Sequence, residues 1–205
     1  SSAYRILCYG DSNTWWSKDD RHGRYDADVR WPWVLQQELW NEYEVIENGV
    51  WGRTIASDDS TFFVPDARNG LTHLPAVLHA QRPTDLVIIQ LGTNDLHEQY
   101  GLTIDQIADH LRALIDLVQS YDYKGFCVQD ILINLPIHPS DESRMVISRG
   151  DLAERFWQVA HEKGCYVFDL NEVGEIGRDG LHYRLETHRR IGEALAKKVL
   201  FIRWM

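Results

Sequence analysis

Short apolar runs along the chain alternate with longer stretches of helical period. Five runs read as buried strands, over residues 4–9, 43–47, 85–91, 126–135 and 165–170. Each is rich in Val, Ile, Leu, Phe or Tyr, and most close on Gly, Asn, Asp or Pro, the residues that turn a chain. The clearest helical face between them carries Ile104, Ile107, Ala108, Leu111, Leu114, Ile115 and Val118. Thr103 precedes it and Gln106 follows three residues later, the spacing of a capping box. Residues 33–40, 149–161 and 188–204 also read as helices. Residues 71–79 are a weaker helix because Pro75 lacks the N–H that a helix interior needs. No repeat, low-complexity tract or linker divides the chain, so residues 1–205 are read as one domain.

Strands that alternate with helices predict a three-layer α/β/α fold around a five-stranded parallel sheet. The commonest doubly wound order for five strands is the flavodoxin-like 2-1-3-4-5. In such sheets ligands bind at the carboxyl ends of the strands, where the order reverses. The first strand stands at that point, between the second and third. Chemistry is therefore expected just after Tyr9, Glu47 and Leu91.

Composition narrows the partners. A formal net charge of -10 repels phosphate backbones and anionic lipid, so neither nucleic acid nor a membrane surface is an expected partner. No apolar stretch approaches the roughly 20 residues that span a bilayer. Cys8, Cys127 and Cys165 are odd in number and widely spaced, which argues against a disulfide framework or a zinc site. Each lies in an apolar run and is expected to be a buried free thiol. Residues 1–3 carry no basic charge, so no signal segment is expected there. A reducing, cytoplasmic setting is the expectation, with no cofactor, a small-molecule partner and room for homo-oligomers.

The three strand ends carry small polar clusters: Gly10-Asp11-Ser12-Asn13-Thr14, Asn48-Gly49-Val50-Trp51-Gly52-Arg53-Thr54, and Gly92-Thr93-Asn94-Asp95. A hydroxyl, a backbone N–H beside a glycine and a carboxamide can converge there, which is a nucleophile with two oxyanion donors. Of nine histidines, most sit among charges. His182 instead follows the fifth strand in Asp179-Gly180-Leu181-His182, on the same rim, with an acid three residues earlier to hold its tautomer. His188 is a competing base, but it has no nearby acid.

The strings GDSNT, GVWGRT, GTND and DGLH resemble blocks one, two, three and five of the SGNH-hydrolase superfamily, the GDSL-type esterases. DVRWPWVL, EVIENG, RNGLTHLP and DLVIIQLGTND are closer still to its bacterial arylesterase and acyltransferase branch. The resemblance implies that Ser12 is the nucleophile, His182 its base and Asp179 the orienting acid. It also implies an oxyanion hole made of the Ser12 and Gly52 N–H groups and the Asn94 amide, with no metal or cofactor. Asp11 is expected to anchor the loop through backbone N–H groups or Arg53. Two positions depart from the family: Asn13 replaces the leucine of the common name, and Trp16 stands where relatives usually have glycine.

The implied activity is hydrolysis of short-chain aryl or small alkyl esters through an acyl-enzyme, with transfer of the acyl group to alcohols as a variant. A carbohydrate acetylesterase is the alternative, and an inactive flavodoxin-like binding module is the rival outside enzymology. Trp33, Trp40, Trp157 and Trp204 lie on helical stretches and are expected in the core. Trp15, Trp16 and Trp51 lie within four residues of Ser12 or Gly52 and are expected to wall the substrate pocket, Trp16 narrowing its acyl side. Residues 136–148, which follow the fourth strand on that rim, are expected to border the pocket.

Overall fold

The computed structural model describes residues 2–140 and 151–205. Its main sheet is parallel and consists of β1 (Tyr4–Gly10), β2 (Tyr43–Gly49), β3 (Leu86–Gln90), β6 (Asp130–Leu135) and β7 (Tyr166–Asp169). The order is β2-β1-β3-β6-β7, the predicted 2-1-3-4-5 arrangement. Alternate strand residues serve opposite faces. Leu7, Tyr9, Val87, Ile89, Ile131 and Ile133 pack with α3 (Gly70–Gln81), α4 (Ile104–Ser120) and α5 (Asp151–Glu162). Ile6, Cys8, Leu86, Ile88 and Leu132 pack with α2 (Trp31–Leu39) and α6 (Leu185–Trp204). A single turn of helix, α1 (Ser12–Trp15), follows β1.

Register explains why the strand-end loops meet. Gly10 pairs with Gly49 on one side and with Gln90 on the other. The loops after β1, β2 and β3 thus leave the sheet at one level, side by side.

Several expectations are corrected. The run 126–135 is not one strand. Lys124 and Gly125 both have positive φ, which makes a two-residue hairpin turn between β4 (Asp122–Tyr123) and β5 (Phe126–Cys127), and the sheet strand starts only at Asp130. Cys127 is consequently exposed and Cys165 half-buried, leaving only Cys8 buried; all three are free thiols. Helix α6 begins three residues before His188, and α3 continues through Pro75 with Asn69 capping its first turn. The expected core tryptophans Trp33, Trp40, Trp157 and Trp204 are exposed. On α2 the inward stripe is Trp31, Leu35 and Leu39, so Trp33 must face outward. On α5 Phe156, Val159 and Ala160 point in, while Trp157 stacks on His161 outside. Among the described residues, no helix is long and apolar enough to cross a membrane, and no group of His, Cys, Asp or Glu is placed to hold a metal ion.

Candidate active site

Asp11 caps α1, its carboxylate accepting the Asn13 N–H at 2.9 Å. That places Ser12 first in the helix, where its own N–H has no intrahelical acceptor. Ser12 Oγ lies 3.0 Å from His182 Nε2. His182 Nδ1 lies 2.5 Å from Asp179 Oδ2, and the other Asp179 oxygen accepts the N–H groups of Leu181 (2.9 Å) and His182 (2.8 Å). Burial alone raises the Asp179 carboxyl, but these hydrogen bonds and the imidazole outweigh it and hold it below the ordinary carboxylate range. Arg21, on the exposed side, adds an ion pair to Asp179 Oδ2 at 3.3 Å. Serine and histidine, 170 positions apart in the chain, are closed by the fold into one hydrogen-bonded row.

The two remaining loops are fastened from below. Arg53 Nη1 donates to the carbonyls of Gly10 (3.1 Å) and Asn48 (3.0 Å) and to Asn48 Oδ1 (3.0 Å), tying the ends of β1 and β2 together. Its charge lowers the Asp11 carboxyl, but burial dominates and pushes that group up to about 7. Asp11 thus anchors the loop by a backbone N–H, as expected. Asp95 is a fully buried tie, accepting the Ile55 N–H at 3.0 Å and so joining the loop after β3 to the loop after β2. Burial, with the nearby Asp11 charge adding, pushes it up to about 7. Asn94 Nδ2 donates to the Arg53 carbonyl at 3.0 Å, which fixes the plane of its carboxamide.

Ser12, Gly52, Asn94 and His182 line one cavity of about 730 Å³. Gly52 has φ +79°, a backbone that favours glycine, and a Cβ there would press on the Arg68 side chain, 2.7 Å from its Nε. The far wall comes from residues the sequence reading passed over: Asp59, Thr61, Arg68, Glu98, Gln99 and Tyr100. Arg68 organises it, donating to the Trp51 carbonyl (3.1 Å) and to Asp59 Oδ2 (2.9 Å) while covering the Phe62 ring. Its only signal in the sequence was its place in RNGLTHLP.

Trp51, 50% exposed, lines this cavity and a smaller adjoining one of about 180 Å³, which Trp15 also lines. Trp16 does neither. It is 1% exposed, belongs to the core between the sheet, α2 and α6, and is covered by Arg30 at 3.5 Å from its ring centroid. Its backbone, φ 85° and ψ 54°, is the left-handed C-cap of α1, which explains why glycine suits this position and which sends the indole under the loop instead of into the pocket. His188 is buried behind the site against Tyr25 and Tyr183, and burial, with the His182 charge adding, pushes it down to about 3. Of the loop 136–148, residues 141–148 lie outside the described residues.

An aryl esterase from M. smegmatis is 33% identical, with 97% of this chain and 99% of that one covered and a TM-score of 0.87. A carbohydrate acetylesterase family member from Sinorhizobium meliloti is 30% identical, covering 98% and 100% of the two chains, also at a TM-score of 0.87. A lipase/acylhydrolase from Enterococcus faecalis shares the fold, at 18% identity and a TM-score of 0.73 over 96% of this chain and 95% of that one. Among curated proteins no relative matches. Residues 8–190 match the GDSL-like lipase/acylhydrolase family, and with that match spanning the strand-end loops just described, the chain belongs to this family of ester hydrolases.

Proposed function

We propose that the protein is a serine esterase for acetyl and propionyl esters of aryl or small alkyl alcohols. The observation that carries this reading is the Ser12–His182–Asp179 row opening into the cavity that Gly52 and Asn94 also line. Neutral His182 takes the Ser12 proton as Oγ attacks the ester carbonyl, and Asp179, kept ionised, steadies the imidazolium that forms. The carbonyl oxygen, now negative, is received by the Ser12 and Gly52 N–H groups and by the Asn94 N–H not used on Arg53. His182 then protonates the departing alcohol. Water, or a second alcohol lodged against Trp51, attacks the acyl-enzyme, with His182 again as base, and releases the acid or a new ester.

The preference for short acyl groups rests on the far wall. A long apolar chain laid against Thr61, Glu98 and Gln99, which are exposed in the free site, would strip water from polar groups and leave them unpaired. The same wall favours a second reading, a carbohydrate acetylesterase, because Thr61, Glu98 and Gln99 suit the hydroxyls of a sugar. The S. meliloti relative bears that name. An inactive binding module is disfavoured, since it has no use for an aligned serine, histidine and carboxylate.

The test is kcat/KM on 4-nitrophenyl acetate through octanoate and on acetylated sugars, for wild type and Ser12→Ala. Acetate should exceed octanoate by about tenfold or more, the scale one pocket contact decides. Ser12→Ala should lose at least about a thousandfold. Faster turnover of acetylated sugars would select the second reading, and near-normal turnover by the alanine variant would end both.

A further inference from the structure

We propose that Asn13 is a positioning residue of this site: its carboxamide grips the two peptide groups that flank His182 and thereby sets the distance at which the imidazole meets Ser12. The proposal rests on the esterase reading and assigns the position at which this chain departs from the leucine of the family's common name.

Asn13 directly follows Ser12, and its backbone N–H is held by Asp11. Its side chain is buried and turned toward the histidine loop. Oδ1 accepts the Tyr183 N–H at 3.0 Å, and Nδ2 donates to the Leu181 carbonyl at 3.3 Å. Acceptor to an N–H and donor to a carbonyl is the one assignment of the amide that satisfies both partners. The residue between those two peptides is His182. Its own N–H goes to Asp179 and its carbonyl accepts the Gly177 N–H at 2.7 Å. Tyr183 is pinned at its other end as well, its hydroxyl accepting from Gln90 Nε2 (3.2 Å), while Gln90 Oε1 accepts from Asn134 (2.9 Å).

The Asp179 turn fixes the imidazole's tautomer and tilt, but it does not tie the histidine loop to the serine. Among the described residues, the two Asn13 bonds and the Ser12–His182 contact are the hydrogen bonds between residues 11–14 and residues 177–183. Asn13 therefore supplies a fixed strut one residue from the nucleophile. The serine–base contact works only over about 2.6–3.2 Å, and a shift of about 1 Å can cost about a hundredfold in rate. A leucine, branched at the same carbon, can neither accept from Tyr183 nor donate to Leu181.

The test compares wild type, Asn13→Leu and Asn13→Asp, well below each protein's melting temperature, by kcat, KM and the pH profile on 4-nitrophenyl acetate. Asp179, Arg21 and His188, the charged and titratable groups around His182, are common to all three. Asn13→Leu should lower kcat about 10- to 100-fold with KM within about threefold, the split expected when alignment and not binding is lost. Asn13→Asp keeps the grip on the Tyr183 N–H but sets a carboxylate oxygen against the Leu181 carbonyl, so it too should lower kcat. Its carboxylate beside His182 should also move the acid limb of kcat/KM to higher pH, by about half a unit or more. Wild-type kcat in Asn13→Leu would overturn the proposal. So would an equal loss in both variants with an unmoved acid limb, which is general loosening of the fold. If the leucine variant does not fold, the aspartate variant's kcat and acid limb decide alone. An inactive wild type would instead strike the esterase reading, which keeps the two failures apart.

Discussion

Replacing Asn94 by alanine should separate transition-state stabilisation from substrate binding. In the native site Asn94 is buried at the cavity wall, and one of its two N–H groups is spent on the Arg53 carbonyl at 3.0 Å. The amide plane is thus set before substrate arrives, and the second N–H needs no reorganisation to meet the developing oxyanion. Losing one such preorganised donor costs about 3–4 kcal/mol in the transition state, or about 10²–10³ in kcat. The ground-state carbonyl is a weaker acceptor, so KM should stay within a few-fold. A separate cost follows from the tether: the Arg53 carbonyl is left without its donor, worth about 1 kcal/mol of stability. Steady-state kinetics on 4-nitrophenyl acetate, together with a thermal melt, read the two effects independently. Asn94→Asp should be worse than alanine, because a carboxylate would repel both the Arg53 carbonyl and the oxyanion. A kcat for Asn94→Ala within about threefold of wild type would refute the role, as would a loss confined to KM, which would make Asn94 a binding contact only.

Asp95 predicts a pH dependence of stability. Its native value of about 7 lies above the roughly 3.9 of an unfolded aspartate, so as pH falls from above 7 toward about 4 the native state takes the proton first and this group increasingly favours folding; Asp95→Asn should shrink the gain in melting temperature between pH 8.5 and 5.5, and an unchanged gain would show that the carboxylate is already relieved in the native state. Trp16→Gly removes a buried indole at a cost of about 3–5 kcal/mol and regains about 1 kcal/mol of left-handed strain, so it should melt well below wild type while leaving the acetate-to-octanoate ratio unaltered; a ratio shifted toward octanoate would mean that the indole reaches the acyl pocket after all.

The sheet was legible because a parallel strand covered on both faces is apolar at every position, as Leu86–Gln90 nearly is. The same signal misled at residues 126–129. An apolar run does not say which neighbour its backbone will pair with, and the positive φ at Lys124 and Gly125 diverted the first two residues into a hairpin. The helix tryptophans failed for a related reason. Residue type gives the area available for burial, but the face is set by the stripe, and Trp31, Leu35 and Leu39 had already claimed it. The row of Ser12, His182 and Asp179 was legible because strand ends and register bring it together. The wall of Asp59, Arg68 and Gln99 was not, since it comes from irregular segments folded over the site, where no period links sequence to direction.

Proximity in sequence to Ser12 also says little about direction. Successive residues on a helix point about 100° apart, and α1 is one such turn. Ser12 faces His182, Asn13 faces the peptides on either side of it, and Trp16, past the left-handed cap, faces the opposite core. Both departures from the family pattern therefore point away from the cavity, one toward the catalytic geometry and the other toward the packing beneath it. What the cavity presents to a substrate comes instead from Trp51, from residues 59–68 and from residues 97–100, which hang from the anchored loops without belonging to the motif. Selectivity among esters can then change by substitution in those segments while the row of serine, histidine and aspartate keeps its spacing, because Arg53 and Asn13 fasten the row from beneath and not from the substrate side.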